Sequence, residues 1–308
     1  MVPVQCGAGQ GYVPRPGGSP FNVAIGLARL DVPVAFLGRF SRDQFGHRLV
    51  QHLRDNGVQL RYLRYGPERS TLAFVHHEPG QEAQYVFYAE NSAELNLRPA
   101  DLPDRFEDDV RAVHFGSISL MVEPSVSTLE ECMRREHGAR LVSLDPNVRP
   151  QLIPDPDGYR RRLEGWVGLS DLVKVSRADL DWLYPEVAVD HVARRWRELG
   201  AGVVVVTLGV DGAVAFGPSA TATRPAPPVH VVDTIGAGDA FTAGALAWLH
   251  RVSLLDRTGL RRITADELSA LLSYANQVSA LTCTRAGADP PHAGELDDLP
   301  LDGAGSTS

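Results

Sequence analysis

Lysine is almost missing from this chain: a single one stands among thirty basic residues, and the rest are arginine. The thirty are outnumbered by 38 acidic residues, for a net charge of −8. No basic stripe interrupts that balance, so nucleic acid, whose binding depends on neutralising phosphates, is not an expected partner. Cysteine is scarce as well. Cys6, Cys132 and Cys283 are odd in number and far apart, which fits neither a disulfide framework nor a zinc site, and they read as reduced thiols of a cytoplasmic protein. No apolar run reaches the roughly 18–20 residues of a membrane span, and Met1–Cys6 has neither the basic cluster nor the apolar core of a secretory signal. The ten histidines include no His-Glu-x-x-His or His-x-x-x-His spacing, so a zinc-hydrolase site is not expected.

What remains is ordinary globular material, 44% hydrophobic and 22% charged over 308 residues. Short β-branched runs alternate with longer amphipathic ones. Val34–Gly38, Val110–Phe115, Arg140–Leu144, Leu172–Val175 and Val203–Thr207 are apolar on both faces, as strands of a parallel sheet are. Between them lie helical patterns at Phe21–Arg29, Asp43–Asn56, Pro124–His137, Arg177–Leu183 and Asp190–Leu199, with two longer ones at Thr234–Arg251 and Ala265–Thr284. That alternation predicts an α/β fold with a doubly wound, mostly parallel sheet flanked by helices. Ser70–His77 and Ala83–Tyr88, joined across Glu78–Glu82, break the rhythm and predict a hairpin, which in this setting projects from the sheet to cover a site. Its alternating apolar residues make a lid-to-lid homodimer an expectation. Pro290–Ser308 has little to bury and is expected to form a flexible tail.

The sharpest signal is Asp233-Thr-Ile-Gly-Ala-Gly-Asp239, between the strand-like Val229–Val232 and a helix. A Gly-Ala-Gly turn opening a helix leaves backbone N–H groups unpaired at the positive end of the helix dipole, which is an anion site. Asp239 falls beside it. A carboxylate next to a bound phosphate repels it unless it has a task, such as taking a proton from an attacking hydroxyl. The other reading of Asp239, a simple helix cap, needs neither two glycines nor a second Asp upstream. A second, weaker signal is Gly17-Gly18 before a helix carrying Asn22, whose amide can donate to and accept from a sugar hydroxyl.

Taken together, Gly17-Gly18…Asn22-Val-Ala24 with Leu37–Asp43…Phe45-Gly46, and Asp233–Asp239, resemble the two signatures of the ribokinase-like (PfkB) carbohydrate kinases. The resemblance runs from about Tyr12 to about Pro291. It implies one kinase domain over 1–308, a core of about nine strands, lid elements near 8–18 and 70–92, and ATP-dependent phosphorylation of a sugar hydroxyl with Mg²⁺ on the phosphates. It implies Asp239 as base and Gly236, Ala237 and Gly238 as anion hole, with Gly17, Gly18 and Asn22 at the sugar. Thr207, Gly209, Gly212 and Asn276 fall on the nucleotide side. Backbone around Asp233 and Ile235, with the Thr284–Gly287 turn, resembles a monovalent-cation site of K⁺ type.

Leu144-Asp-Pro-Asn-Val-Arg149 and Tyr88–Ala93 are similar to the fructokinase branch. At the carboxyl end of a strand, where open α/β sheets place ligands, Asp145, Asn147 and Arg149 are expected to meet a sugar hydroxyl or a phosphate. Where the family places Asn-x-x-Glu for Mg²⁺, this chain has Ser176 and Asp179. A catalytically weak kinase-like binding protein and a kinase for a nucleoside or other small alcohol are the alternatives. The family's first strand, with its sugar-binding Asp, has no counterpart before Asp31. Either Val2–Cys6 fills that slot, or about 20 further residues precede this sequence and sugar binding by the 308 residues is weak.

Overall fold

The structure is a computed structural model and describes residues 1–6, 9–76 and 84–296. Two short strands, β1 (Val2–Cys6) and β2 (Gly9–Val13), precede α1 (Ser19–Arg29), β3 (Gly38–Ser41), α2 (Gln44–Asp55) and β4 (Leu63–Gly66). The expected hairpin follows as β5 (Leu72–His76) and β6 (Gln84–Tyr88); the connection Glu78–Glu82 lies outside the described residues. The alternating part runs β7 (Ala112–Gly116), α3 (Ser125–Glu136), β8 (Leu141–Asp145), α4 (Pro156–Gly168), β9 (Leu172–Ser176), α5 (Arg177–Leu183), α6 (Val189–Leu199) and β10 (Val203–Thr207). It ends with β11 (Ala213–Phe216), β12 (Thr221–Arg224), α7 (Ala237–Arg251), α8 (Arg257–Leu260) and α9 (Ala265–Cys283). No helix among the described residues is long and apolar enough to cross a membrane.

The main sheet has six strands in the order β12-β11-β10-β9-β8-β7, with β7 to β10 parallel and β11 and β12 antiparallel. Side chains of a strand alternate between faces, and β10 shows the consequence. Val204 and Val206 enter a core with Leu163, Trp166, Leu183 and Trp196 of α4 to α6. Val203 and Val205 enter the opposite core, with Phe241 and Leu246 of α7 and Leu271 of α9. The same parity sends Leu141 of β8 and Leu172 of β9 to the α7 side, so Asp145 and Lys174, four and two residues on, point there too.

Several expectations are corrected. The sheet has six strands, not nine, and β7 is its edge. Val34–Gly38 is not a sheet strand: Ala35 makes one isolated bridge to Gln59, and only Gly38–Ser41 pairs, with β4, in a separate two-stranded piece. Val34–Leu37 and Arg111–Gly116 both line one cleft, and no described strand pairs with the free edge of β7. Val2–Cys6 does not fill that slot. It pairs with β2 and docks on the hairpin, where the Met1 ammonium donates to Ala73 O (2.6 Å) and Val75 N to Met1 O (3.0 Å).

Val229–Val232 has no ladder partner, and Val231 and Val232 are exposed. Helix α4 and strands β11 and β12 were not anticipated; the Pro-Asp-Gly start of α4 reads as a turn, yet Asp155 caps it by accepting from Gly158 N. Of the expected tail, Pro290–Leu296 is packed: Arg29 donates to Asp289 Oδ1 (2.5 Å) and Pro290 O (2.6 Å), and Leu296 is buried in the α7-side core. Residues 297–308 lie outside the described part.

Candidate active site

Helix α7 starts on Gly236, whose φ of +80° is left-handed and whose added Cβ would meet Ala288 Cβ at 2.5 Å. Both facts require glycine there. Ala237 N–H turns back to Thr234 O (3.2 Å), while Gly236 N and Gly238 N have no partner among the described residues. The anion-binding groups are therefore these N–H bonds, aimed out of the positive end of a fifteen-residue helix.

Asp239 stands in the first turn and is buried. Asn22, one turn into α1, donates Nδ2 to its Oδ2 at 2.7 Å. Asn147, in the loop after β8 with φ +39°, donates Nδ2 to its Oδ1 at 3.4 Å. Burial raises the Asp239 carboxyl pKa above its ordinary value, against the hydrogen bond from Asn22, and the nearby Asp145 adds to the rise. A carboxylate moved in that direction is a better general base than an exposed one.

Beneath the turn lies Lys174. Its Nζ donates to Asp145 Oδ2 at 3.0 Å, with the two side chains 6% and 0% exposed. Burial alone would lower the ammonium pKa, but Asp145, Asp179 and Asp239 hold it above the ordinary value. A Cβ on Gly238 would sit 2.9 Å from Nζ, so this glycine lets the cation underlie the anion site. Asp145 is fully buried and is not among the residues that line the cleft, where an exposed ligand-facing position was expected; its neighbour Lys174 lines it. Sequence reasoning passed over Lys174. The signal was there: one charge at an inward position of the apolar run Leu172–Val175.

The other expected residues, Gly17, Gly18, Asn22, Asn147, Arg149, Ser176, Asp179, Thr207, Gly209, Gly212 and Asn276, all line the same cleft. Gly18 is left-handed (φ +138°) and accepts from Asn22 N, setting the turn that carries Asn22. Gly212 (φ +91°) packs against Arg224 O, which a Cβ would meet at 2.1 Å. Asn276 spends its amide on Arg224 O and Pro225 O, both at 3.1 Å, and so fixes the wall after β12. Ser176 caps α5, and Asp179 accepts from Val148 N (2.9 Å) and Ser176 N (3.3 Å). Asp233 accepts from Ile235 N (3.0 Å) and Gly287 N (2.8 Å), which joins the loop before α7 to the Thr284–Gly287 turn. Among the described residues no cluster of three or more His, Cys, Asp or Glu could hold a metal ion.

A buried carboxylate beside open helix-end N–H groups, at the carboxyl end of a mostly parallel sheet and near a β hairpin, has the makings of a small-molecule phosphotransferase site. Comparison narrows the class: residues 5–293 match the pfkB family of carbohydrate kinases. The chain is 41% identical over 258 residues to a fructokinase of Rhizobium leguminosarum bv. trifolii, covering 83% of this chain and 78% of that one. A double mutant of the fructokinase of Vibrio cholerae O395, solved with fructose, ADP and potassium ion, superposes with a TM-score of 0.83 at 30% identity, over 93% of this chain and 91% of that one. The aminoimidazole riboside kinase of Salmonella enterica, solved with its riboside and an ATP analogue, gives 0.82 at 29% identity, over 96% and 94%. The chain belongs to the pfkB family and is an ATP-dependent carbohydrate kinase.

Proposed function

We propose that the chain transfers the γ-phosphoryl of ATP to a hydroxymethyl oxygen of fructose. The observation that carries this is the Asp239 carboxylate held by Asn22 beside the open N–H groups of Gly236 and Gly238. In this reading the sugar lies between the hairpin β5–β6 and the residues Gly17, Gly18, Asn22 and Asn147. The nucleotide lies along Thr207, Gly209, Gly212 and Asn276. The hydroxyl oxygen attacks phosphorus as its proton passes to Asp239, the bond to the ADP oxygen breaks, and the helix-end N–H groups with Lys174 receive the charge on the transferred group.

Mg²⁺ enters with the nucleotide rather than as a resident metal, and its chemistry is to neutralise charge on the phosphates. Asp179 fits a role at one remove: both its oxygens already accept backbone N–H groups, so it suits a metal-bound water better than the ion itself. Carbonyls of the 233–235 loop and the 284–287 turn suit K⁺.

The fructose assignment draws on the 41% identical relative and on the fructose-bound neighbour. The riboside kinase, equally similar in fold, favours a second reading, a ribose-bearing nucleoside as acceptor. ADP release measured with a panel of hexoses, pentoses and nucleosides separates the two. Fructose is expected to give the highest kcat/KM; a riboside ahead of every hexose would overturn the assignment.

A homodimer through the lid is also proposed. Tyr12, Val13, Val86 and Tyr88 are exposed on the two hairpins, and Phe74 stacks edge-on between Tyr12 and Tyr88 at 5.1 and 5.5 Å. Exposed apolar faces of this kind mark interfaces. A Val86→Glu chain eluting as a monomer where the parent elutes as a dimer would support it; a monomeric parent would remove it.

A further inference from the structure

We propose that Tyr85 of the lid and Arg149 of the core are positioning residues for the base, acting through Asn147 on Asp239. This rests on the kinase reading for its purpose, but its geometry stands by itself.

The chain of contacts is continuous. The Arg149 guanidinium lies over the Tyr85 ring, 5.5 Å from its centroid, so the lid strand β6 stacks directly on the loop after β8. Gln151 Nε2 adds a bond to Tyr85 O at 3.3 Å. From the same guanidinium, Nη1 donates to Asn147 Oδ1 at 2.6 Å and to the carbonyls of Asn147 (3.0 Å) and Val148 (2.9 Å). Those bonds decide which way the Asn147 amide faces. Its oxygen is taken by a cation that can only donate, so its Nδ2 must turn to the other side. On that side is Asp239 Oδ1, at 3.4 Å.

One arm of Arg149 is therefore committed to the protein. Its Nη1 holds the loop in the left-handed turn at Asn147, and the tyrosine ring covers its face. A cation stacked on a desolvated ring is held more firmly than one in water, and burial raises the Tyr85 hydroxyl pKa, with Asp239 and Asp233 acting in the same direction and Arg149 against them. When the lid hairpin is in place, the base has two amide donors, one on each oxygen. When Tyr85 leaves, Arg149 loses its cover, and the amide of Asn147 is free to rotate away.

The groups around Asp239 are Ser19 and Asn22 from α1, Asp145 from β8, Lys174 from β9, Asn147 from the loop and the Tyr85 hydroxyl of the lid. Of those that hydrogen-bond Asp239, only Asn147 connects to the lid, through Arg149. Donation from Asn147 favours the ionised carboxylate, so its loss must raise the Asp239 pKa.

The experiment reads that carboxyl directly. Aspartate carboxyls labelled with ¹³C are titrated by NMR without substrate, and Asp239 is assigned by its disappearance in Asp239→Asn. Arg149→Met and Tyr85→Ala are expected to move its midpoint upward by about one pH unit, the scale of one hydrogen bond to a charged group. Tyr85→Phe keeps the ring and is expected to restore the parent midpoint. In turnover, the acid limb of kcat/KM should shift the same way in the first two variants, with kcat falling as well as KM rising.

An unchanged Asp239 midpoint in both Arg149→Met and Tyr85→Ala would overturn the relay and leave Tyr85 as a roof over the sugar. Absence of ADP release from the parent chain with every acceptor would instead refute the kinase reading, while the carboxyl titration would still decide the relay.

Discussion

Lys174 and Asp145 form an ion pair at 3.0 Å in which neither side chain has more than 6% of its surface exposed. This is the only lysine of the chain, and it sits under the turn at Gly238 that opens α7. Parity in β8 and β9 puts both residues on the α7 side, so the pair follows from strand register rather than from a loop.

Removing one partner leaves a buried charge without compensation. Lys174→Met is expected to lose about 3–5 kcal/mol of stability, whereas Lys174→Met with Asp145→Leu should regain much of it, as buried pairs replaced by apolar residues commonly do. Denaturant unfolding of both variants checks this. A single variant as stable as the parent would contradict the account of the pair.

The lone lysine also permits a chemical test. An ammonium that reaches the cleft with little of its surface and whose pKa is raised reacts slowly with reagent. At about pH 8.5, well below even the ordinary lysine value of ~10.4, an amine-reactive reagent should leave Lys174 unmodified in the native protein and modify it after unfolding. Peptide mapping reads the result, and labelling at equal rates in both states would refute the burial.

Acid sensitivity should have an identifiable source at the base of the lid. Asp43 caps α2, accepting from Phe45 N and Gly46 N, and also accepts from Ser70 N and Oγ. Burial pushes its carboxyl pKa up, but the bonds from Gly46 and Ser70 win and hold it at about 2, from an ordinary 3.8. A depressed folded-state pKa means the contribution is complete above pH 4 and is lost as pH falls toward 2. Stability followed from pH 5 to 2 should fall less steeply in Asp43→Asn than in the parent; parallel curves would remove Asp43 as the cause.

Potassium should activate more than sodium. Asp233 ties the loop before α7 to Gly287, so an ion held by carbonyls there would stiffen the turn that carries Gly236 and Gly238. Initial rates in matched chloride salts test this, and equal rates would argue against a cation site at that loop.

Much of this was legible in the sequence where one residue type has one job. Gly236 must be glycine for its left-handed φ, and Asp239 stands out because it follows directly on the Gly-Ala-Gly turn. The parallel strands β7 to β10 announce themselves by being apolar on both faces. What could not be read depends on partners far along the chain. Val34–Gly38 has strand composition but makes only one isolated bridge, and Val229–Val232 has it with no strand partner, only a bond from Val232 N to Cys283 O. Asp145 looked like a ligand because it follows a strand, and only the position of Lys174 on the neighbouring strand turns it into a buried counter-ion. Tyr85 carried no motif; its place over Arg149 depends on how the hairpin folds down.

The central claim is that Asp239 is the base of a phosphoryl transfer. Asp239→Asn keeps the shape of the side chain and removes the basic oxygen. With fructose and ATP at saturation, kcat should fall by at least ~10²-fold, the lower end for a general base, while ATP affinity measured by calorimetry stays within a few-fold of the parent. A variant that turns over at the parent rate would contradict the account.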